Sequence, residues 1–124
     1  VRPEEDGDMR TAIIRAEIGS FIDAHYREDI SMQDAAAALR YSDAYFCKLF
    51  KQCFKVNFSA YLNEYRVNQA ASQLLSTRLP ITEIALNAGF ENMSYFIRQF
   101  RRCKGCTPSA YRNTEDPKSL PIPF

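Results

Sequence analysis

Residues 45–61 of this chain repeat themselves at 95–111. At that offset of 50, seven of 17 positions are identical: Tyr45/Tyr95, Phe46/Phe96, Phe50/Phe100, Cys53/Cys103, Ser59/Ser109, Ala60/Ala110 and Tyr61/Tyr111. Chance would give about one. Charge is kept at Lys48/Arg98 and Lys51/Arg101, and the capping positions Asn57 and Thr107 correspond. Upstream, at an offset of 49, Met32/Ile81, Ala36/Ala85 and Tyr41/Phe90 match in character. The one-residue difference falls in the turn between two helices of each copy. The chain therefore holds one helix–turn–helix unit twice, each copy followed by the start of a further helix.

Helical periodicity fills the space between the tails. Ile14, Ile18, Phe21, Ile22 and His25 recur at three- and four-residue spacing, which predicts an amphipathic helix over about 9–27. Ser31 and Asp34 form a capping-box start for the alanine-rich SMQDAAAALR. Ser42 caps a helix whose apolar stripe is Phe46, Leu49, Phe50 and Cys53. Asn57 caps a long helix of about 58–77, with Tyr61, Leu62, Tyr65, Ala70, Leu74 and Leu75 as its apolar positions. ITEIALN follows Pro80 and ends at Ala88-Gly89. Asn92 caps a helix through Phe96 and Phe100 to about Lys104, and Thr107-Pro108 open a last short one. No segment alternates with period two. The expected fold is all-α, about seven helices, with two helix-turn-helix subdomains (9–56 and 79–113) joined by a linker helix (57–78). The acidic VRPEEDGD (1–8) reads as a linker or the tail of an upstream domain. The Pro-rich segment 114–124 reads as extended.

Composition narrows the function classes. At 124 residues the chain holds one domain or two very small ones. No apolar run reaches the ~18 residues that a membrane span needs, and no signal peptide opens the chain. It starts at Val1 rather than Met, as expected of a fragment of something longer. His25 is the sole histidine and has no Ser, Cys or carboxylate constellation around it. No Walker loop, dinucleotide fingerprint or HExxH is present. Of four cysteines, Cys103-x-x-Cys106 is half of a zinc pattern. The repeat instead places Cys53 and Cys103 at matched core positions, as small hydrophobes. Cys47, facing outward near Lys48, is a candidate oxidation-sensitive thiol. No enzyme, metal or cofactor is expected.

The net charge of +1 conceals a partition. Residues 1–39 carry −5, residues 40–112 carry +7 and residues 113–124 carry −1. A polyanion would meet the middle of the chain. There, each repeat pairs a short helix containing small residues with a second helix, aromatic on one face and cationic on the other. That is the arrangement of a helix-turn-helix reader of double-stranded DNA, in which the first helix braces and the second enters the major groove. With Phe46, Leu49, Phe50 and Cys53 inward, Ala44, Cys47, Lys48 and Lys51 face outward. With Phe96 and Phe100 inward, Met93, Ser94, Ile97, Arg98 and Arg101 do. Lys48 and Arg98 are the candidates for guanine O6/N7, Arg98 with two bonds; a solvated charged face is the plain alternative. Lys51, Lys55, Arg101, Arg102 and Lys104 are candidates for phosphate. So are the helix starts near Ser31, Ser42, Thr82 and Asn92. A connecting helix of about 20 residues spans roughly 30 Å, against ~34 Å for one turn of B-DNA. This suits two subsites about 10 base pairs apart.

The segments YSDAYFCKLFKQCFKVNFSAYLNEYRVNQAASQLL and ITEIALNAGFENMSYFIRQFRRCKGCTPSAYR resemble the AraC/XylS (arabinose-regulator) transcription factors over residues ~10–112. The second copy carries the most specific elements in register: I-x-E-I-A-x-x-x-G-F, Y-F-x-R-x-F and T-P-x-x-Y-R. Arg40 and Lys55 stand where that family usually has glycine, opposite Gly89 and Gly105 in the second copy. The resemblance implies a bacterial, cytoplasmic, nucleoid-associated transcription regulator with a C-terminal DNA-binding domain. It implies contact with RNA polymerase and dimerisation through an upstream domain. It places base contacts early in each reading helix, at Ala44, Cys47 and Lys48 in the first and at Asn92, Met93, Ser94, Ile97 and Arg98 in the second. The alternative from another class is a helix-turn-helix scaffold used as a protein-interaction module.

Overall fold

The computed structural model describes residues 3–114, with side chains for 9–113. It is all-α. Seven helices run in order: α1 (Pro3–His25), α2 (Met32–Ala38), α3 (Asp43–Phe54), α4 (Phe58–Ser76), α5 (Ile81–Asn87), α6 (Met93–Lys104) and α7 (Pro108–Thr114). No strand occurs among the described residues. The chain divides into two compact units, one ending at Leu62 and the other beginning at Asn63. The division falls inside α4, so the long helix is shared: Phe58 and Leu62 are buried in the first unit, and Val67, Ala70, Ala71 and Leu74 in the second.

Each start and stop has a chemical cause. Ser31 and Asp34 cap reciprocally: the Asp34 N–H donates to Ser31 Oγ at 3.1 Å and the Ser31 N–H to Asp34 Oδ2 at 2.9 Å. Equivalent caps recur across the repeat. The Tyr45 N–H donates to Ser42 Oγ (3.3 Å) and the Tyr95 N–H to Asn92 Oδ1 (2.9 Å). The Ala60 N–H donates to Asn57 Oδ1 (2.8 Å) and the Ala110 N–H to Thr107 Oγ1 (3.2 Å). α5 alone of these begins without a side-chain cap, after Pro80.

α1 begins at Pro3, earlier than the sequence suggests, so residues 3–8 are helical. Proline is tolerated in a helix's first turn. Gly7, which costs about 1 kcal/mol relative to alanine inside a helix, masks that start in the sequence. The expected Pro-rich tail lies, from residue 115 on, outside the described residues.

Two copies of one aromatic ladder form the cores. In the first unit Tyr41 packs on Phe46 (centroids 6.2 Å apart), Phe46 on Phe50 (6.0 Å) and Phe50 edge-on to Tyr61 (5.5 Å, 80°). In the second, Phe90 packs on Phe96 (5.0 Å), Phe96 on Phe100 (5.7 Å) and Phe100 edge-on to Tyr111 (5.3 Å, 80°). Phe46, Phe50, Phe96 and Phe100 are fully buried. Each contributes about 1.5–3 kcal/mol from burial alone. Ile14, Ile18 and Ile22 of α1, and Tyr26 just past it, are buried in the first unit; Val67, Ala70, Leu74 and Ile84 contribute to the second core. Ala36 and Ala85, matched across the repeat, are both buried.

The turns between bracing and second helices are the same motif twice. The Tyr41 N–H donates to the Ala36 carbonyl (2.8 Å) and the Arg40 N–H to that of Ala37 (3.1 Å). The Phe90 N–H donates to the Ala85 carbonyl (2.9 Å) and the Gly89 N–H to that of Leu86 (3.0 Å). This is the Schellman stop, which requires a left-handed residue just past the helix. Arg40 (φ 67°) and Gly89 (φ 98°) supply it. A second such position closes α3 and α6, at Lys55 (φ 66°) and Gly105 (φ 80°). Arg40 and Lys55 thus keep the backbone that glycine gives the second copy, at a cost of about 1–2 kcal/mol each for a side chain in this region. A Cβ added at Gly105 would meet nothing within 4 Å, so any penalty there is conformational. Lys55→Gly should raise stability by about 1 kcal/mol and Gly105→Ala should lower it by a similar amount. Urea denaturation of the two variants checks both signs.

Candidate nucleic-acid interface

In both units the second helix of the pair buries its aromatic side and turns its cations to solvent. On α3 the outer stripe is Ala44, Lys48 and Lys51, all exposed, with exposed Lys55 just past the helix end. At the repeat offset, α6 presents Ser94, Arg98 and Arg101, also exposed. Spacings of four and three residues hold such a set on one helical face. Among the described residues, no ion pair engages Lys48, Lys51, Arg98 or Arg101. Three cations lie in the last turn of α6, Arg101, Arg102 and Lys104, and Asp43 is the acidic residue in the first turn of α3. Burial raises the pKa of the Tyr41 phenol above its ordinary value, with Glu17 adding to the rise. The turn before α3 therefore carries no phenolate charge at neutral pH.

Ile97 is exposed on α6 beside the cationic stripe, and Thr82 is exposed in the first turn of α5. Lys104 is half-buried. Arg102 is exposed, but its guanidinium donates twice to Gln99 Oε1, at 3.2 and 2.9 Å. Two expected outward residues are turned partly inward. Cys47 is half-buried, and Met93 is half-buried and packs against the second core. Ser31, Ser42 and Asn92 are exposed, but each side-chain oxygen already accepts a backbone N–H as a cap. For Asn92 the cap engages one of the two lone pairs of Oδ1, and the side chain stays exposed.

The cysteines are free thiols: Cys53 is buried, and Cys47, Cys103 and Cys106 are half-buried. No group of three or more His, Cys, Asp or Glu side chains among the described residues is placed to hold a metal ion. His25 Nδ1 lies 2.8 Å from Glu28 Oε2, with its ring 4.5 Å from that of Phe21. No helix among the described residues is long and apolar enough to cross a membrane.

Three further residues hold the reading helices and their supports. Arg15 of α1 donates to the Cys53 carbonyl at the end of α3, and its guanidinium lies 5.6 Å from the Phe54 ring centroid. Arg112 of α7 donates to the carbonyls of Leu74 (3.1 Å) and Thr77 (3.2 Å) at the end of α4. Both place a cation where a helix dipole is negative. Tyr95 on α6 accepts a hydrogen bond from Asn63 Nδ2 at 2.8 Å, and the Arg98 guanidinium lies over its ring at 5.8 Å. Arg112 was visible in the sequence as the end of T-P-x-x-Y-R, without a role. Arg15 carried no local signal.

A helix-turn-helix domain family model matches residues 35–114. The chain belongs to the AraC-type helix-turn-helix family. Members of this class are DNA-binding domains of transcription regulators, not enzymes. The regulatory protein PocR of Salmonella typhimurium is 38% identical over 101 residues, covering 82% of this chain and 33% of PocR. The chain thus spans about a third of the length of that relative. An AraC-type DNA-binding-domain regulator from Chromobacterium violaceum superimposes with a TM-score of 0.78 at 28% identity, covering 90% of this chain and 98% of that one. The DNA-binding domain of the global transcriptional factor AdpA, solved in complex with a target DNA, gives 0.74 at 28% identity, covering 78% and 87%.

Asn92 caps α6. Asn92→Ala should lower stability by about 1 kcal/mol through the lost cap, as urea denaturation of the variant against the unsubstituted chain checks.

Proposed function

We propose that this chain binds double-stranded DNA sequence-specifically at a promoter or operator, each unit setting its second helix, α3 or α6, into a major groove. The observation that carries this reading is the duplicated cationic stripe. The same face of both helices is exposed and uncancelled, and the opposite face is locked by the same aromatic ladder. The DNA complex of AdpA, similar in fold, supports it.

Lys48 and Arg98 are the principal base readers, with Ala44, Ser94 and Ile97 lining the same faces and Cys47 and Met93 at their inner edges. Lysine and arginine both match the paired acceptors of guanine, and arginine does so with two bonds. Lys51, Lys55, Arg101, Arg102 and Lys104 take phosphates, which fixes register and carries no sequence information. The helix starts at Ser31, Ser42 and Thr82 add backbone N–H donors. Because the two stripes differ in residue type, the site is asymmetric, with two subsites about 10 base pairs apart. The same reading has the protein act in the cytoplasm, at the nucleoid. RNA polymerase is then a partner, and dimerisation comes through an upstream domain.

Selection from random duplexes at two salt concentrations tests the reading, and a salt-insensitive or sequence-blind result would overturn it. On the selected duplex, Arg98→Ala should cost about 1–3 kcal/mol and relax preference at one base pair. Lys51→Ala should weaken all duplexes alike and reduce the salt slope by about one. Equal losses on cognate and scrambled DNA for Arg98→Ala would contradict its role.

A further inference from the structure

The geometry points to Tyr95 as a positioning residue that holds the Arg98 guanidinium ready for one base pair, with Asn63 fixing Tyr95 in turn. This role rests on Arg98 being a base reader, as proposed above.

Arg98 is exposed and carries many rotamers, and ordering such a side chain on DNA costs as much as a good contact returns. Its guanidinium already lies 5.8 Å from the Tyr95 ring centroid. A guanidinium resting on an aromatic face keeps its N–H groups free at the edge, where guanine O6 and N7 would accept them. Tyr95 itself is held at both ends. Its ring lies 6.2 Å from that of buried Phe90, and its hydroxyl accepts the Asn63 Nδ2–H at 2.8 Å. Asn63, Tyr95 and Arg98 all belong to the second unit.

The first unit has the repeat without this support. Tyr45 is 47% exposed and packs on Tyr41 at 5.7 Å. No cation–π contact joins Lys48 to it among the described residues. Carried back at the upstream offset of 49, Asn63 pairs with the apolar Ile14. An ammonium on a flexible stem is a point charge, whereas a stacked guanidinium is an oriented fork. The second unit therefore discriminates more sharply than the first.

The test uses the whole chain and the duplex obtained by selection. The readout is the ratio of Kd values for that duplex and for one altered at the base pair whose preference Arg98→Ala relaxes. Tyr95→Leu should reduce this discrimination about two- to fivefold, the size of an exposed cation–π contact, with affinity for scrambled DNA unchanged. Tyr95→Phe and Asn63→Ala both keep the ring and both lose the same hydrogen bond, so they should reduce discrimination equally and by less than Tyr95→Leu. In an Arg98→Ala background, Tyr95→Leu should have no further effect on the ratio. Equal weakening of both duplexes by Tyr95→Leu, or a persisting effect without Arg98, would make Tyr95 merely structural and overturn the role. If Arg98→Ala lowers discrimination but Tyr95→Leu and Asn63→Ala do not, positioning fails and base reading stands. If Arg98→Ala leaves every base preference intact, both fall together.

Discussion

The edge-on meeting of a phenylalanine from each candidate reading helix with a tyrosine from the following helix anchors both units. Phe50 against Tyr61 and Phe100 against Tyr111 share an 80° interplanar angle. Aromatic pairs favour this arrangement because the positive ring edge meets a negative face. A helix bound this way has no freedom to roll. Once Phe46 and Phe50, or Phe96 and Phe100, are buried, the residues half a turn away must face water. The cationic stripe is thus a consequence of the aromatic one, and the surface chemistry of each unit is set from inside.

The support around that anchor is built mostly from helix ends. Ser42, Asn57, Asn92 and Thr107 each occupy orphan N–H groups at a helix start. Arg15 and Arg112 occupy orphan carbonyls at helix ends, using groups distant in sequence. Short helices have little stability of their own. α2 and α5, at seven residues each, depend instead on their matched C-terminal stops and on buried Ala35, Ala36, Ile84 and Ala85, with Ser31 capping α2.

What could be read from the sequence follows from how local each signal is. The helices α2, α3, α4, α6 and α7 are marked by caps three residues from their targets, α5 by Pro80 before it, and all by short-range apolar spacing. The repeat adds a check, since two copies must agree. The early start of α1 was obscured by Gly7 and by acidic residues that resemble a linker. Met93 and Cys47 lie at the edge of a face: periodicity assigns the face, whereas half-burial at its edge depends on neighbours from other helices. Asn92 shows what spacing alone does not give, a side chain that caps a helix start while staying exposed. Arg15 and Tyr95 depend on partners 38 and 32 residues away, at Cys53 and Asn63, beyond any local pattern.

The left-handed positions divide the two copies in a further respect. At 40 and 55 a side chain already bears the conformational penalty, so most exchanges among L-residues there leave the backbone energy nearly unchanged. At 89 and 105 glycine bears none, and every replacement incurs it anew. Mutational drift is therefore lopsided: the first copy's hinges are open to new charges and shapes on their solvent side, while those of the second are fenced.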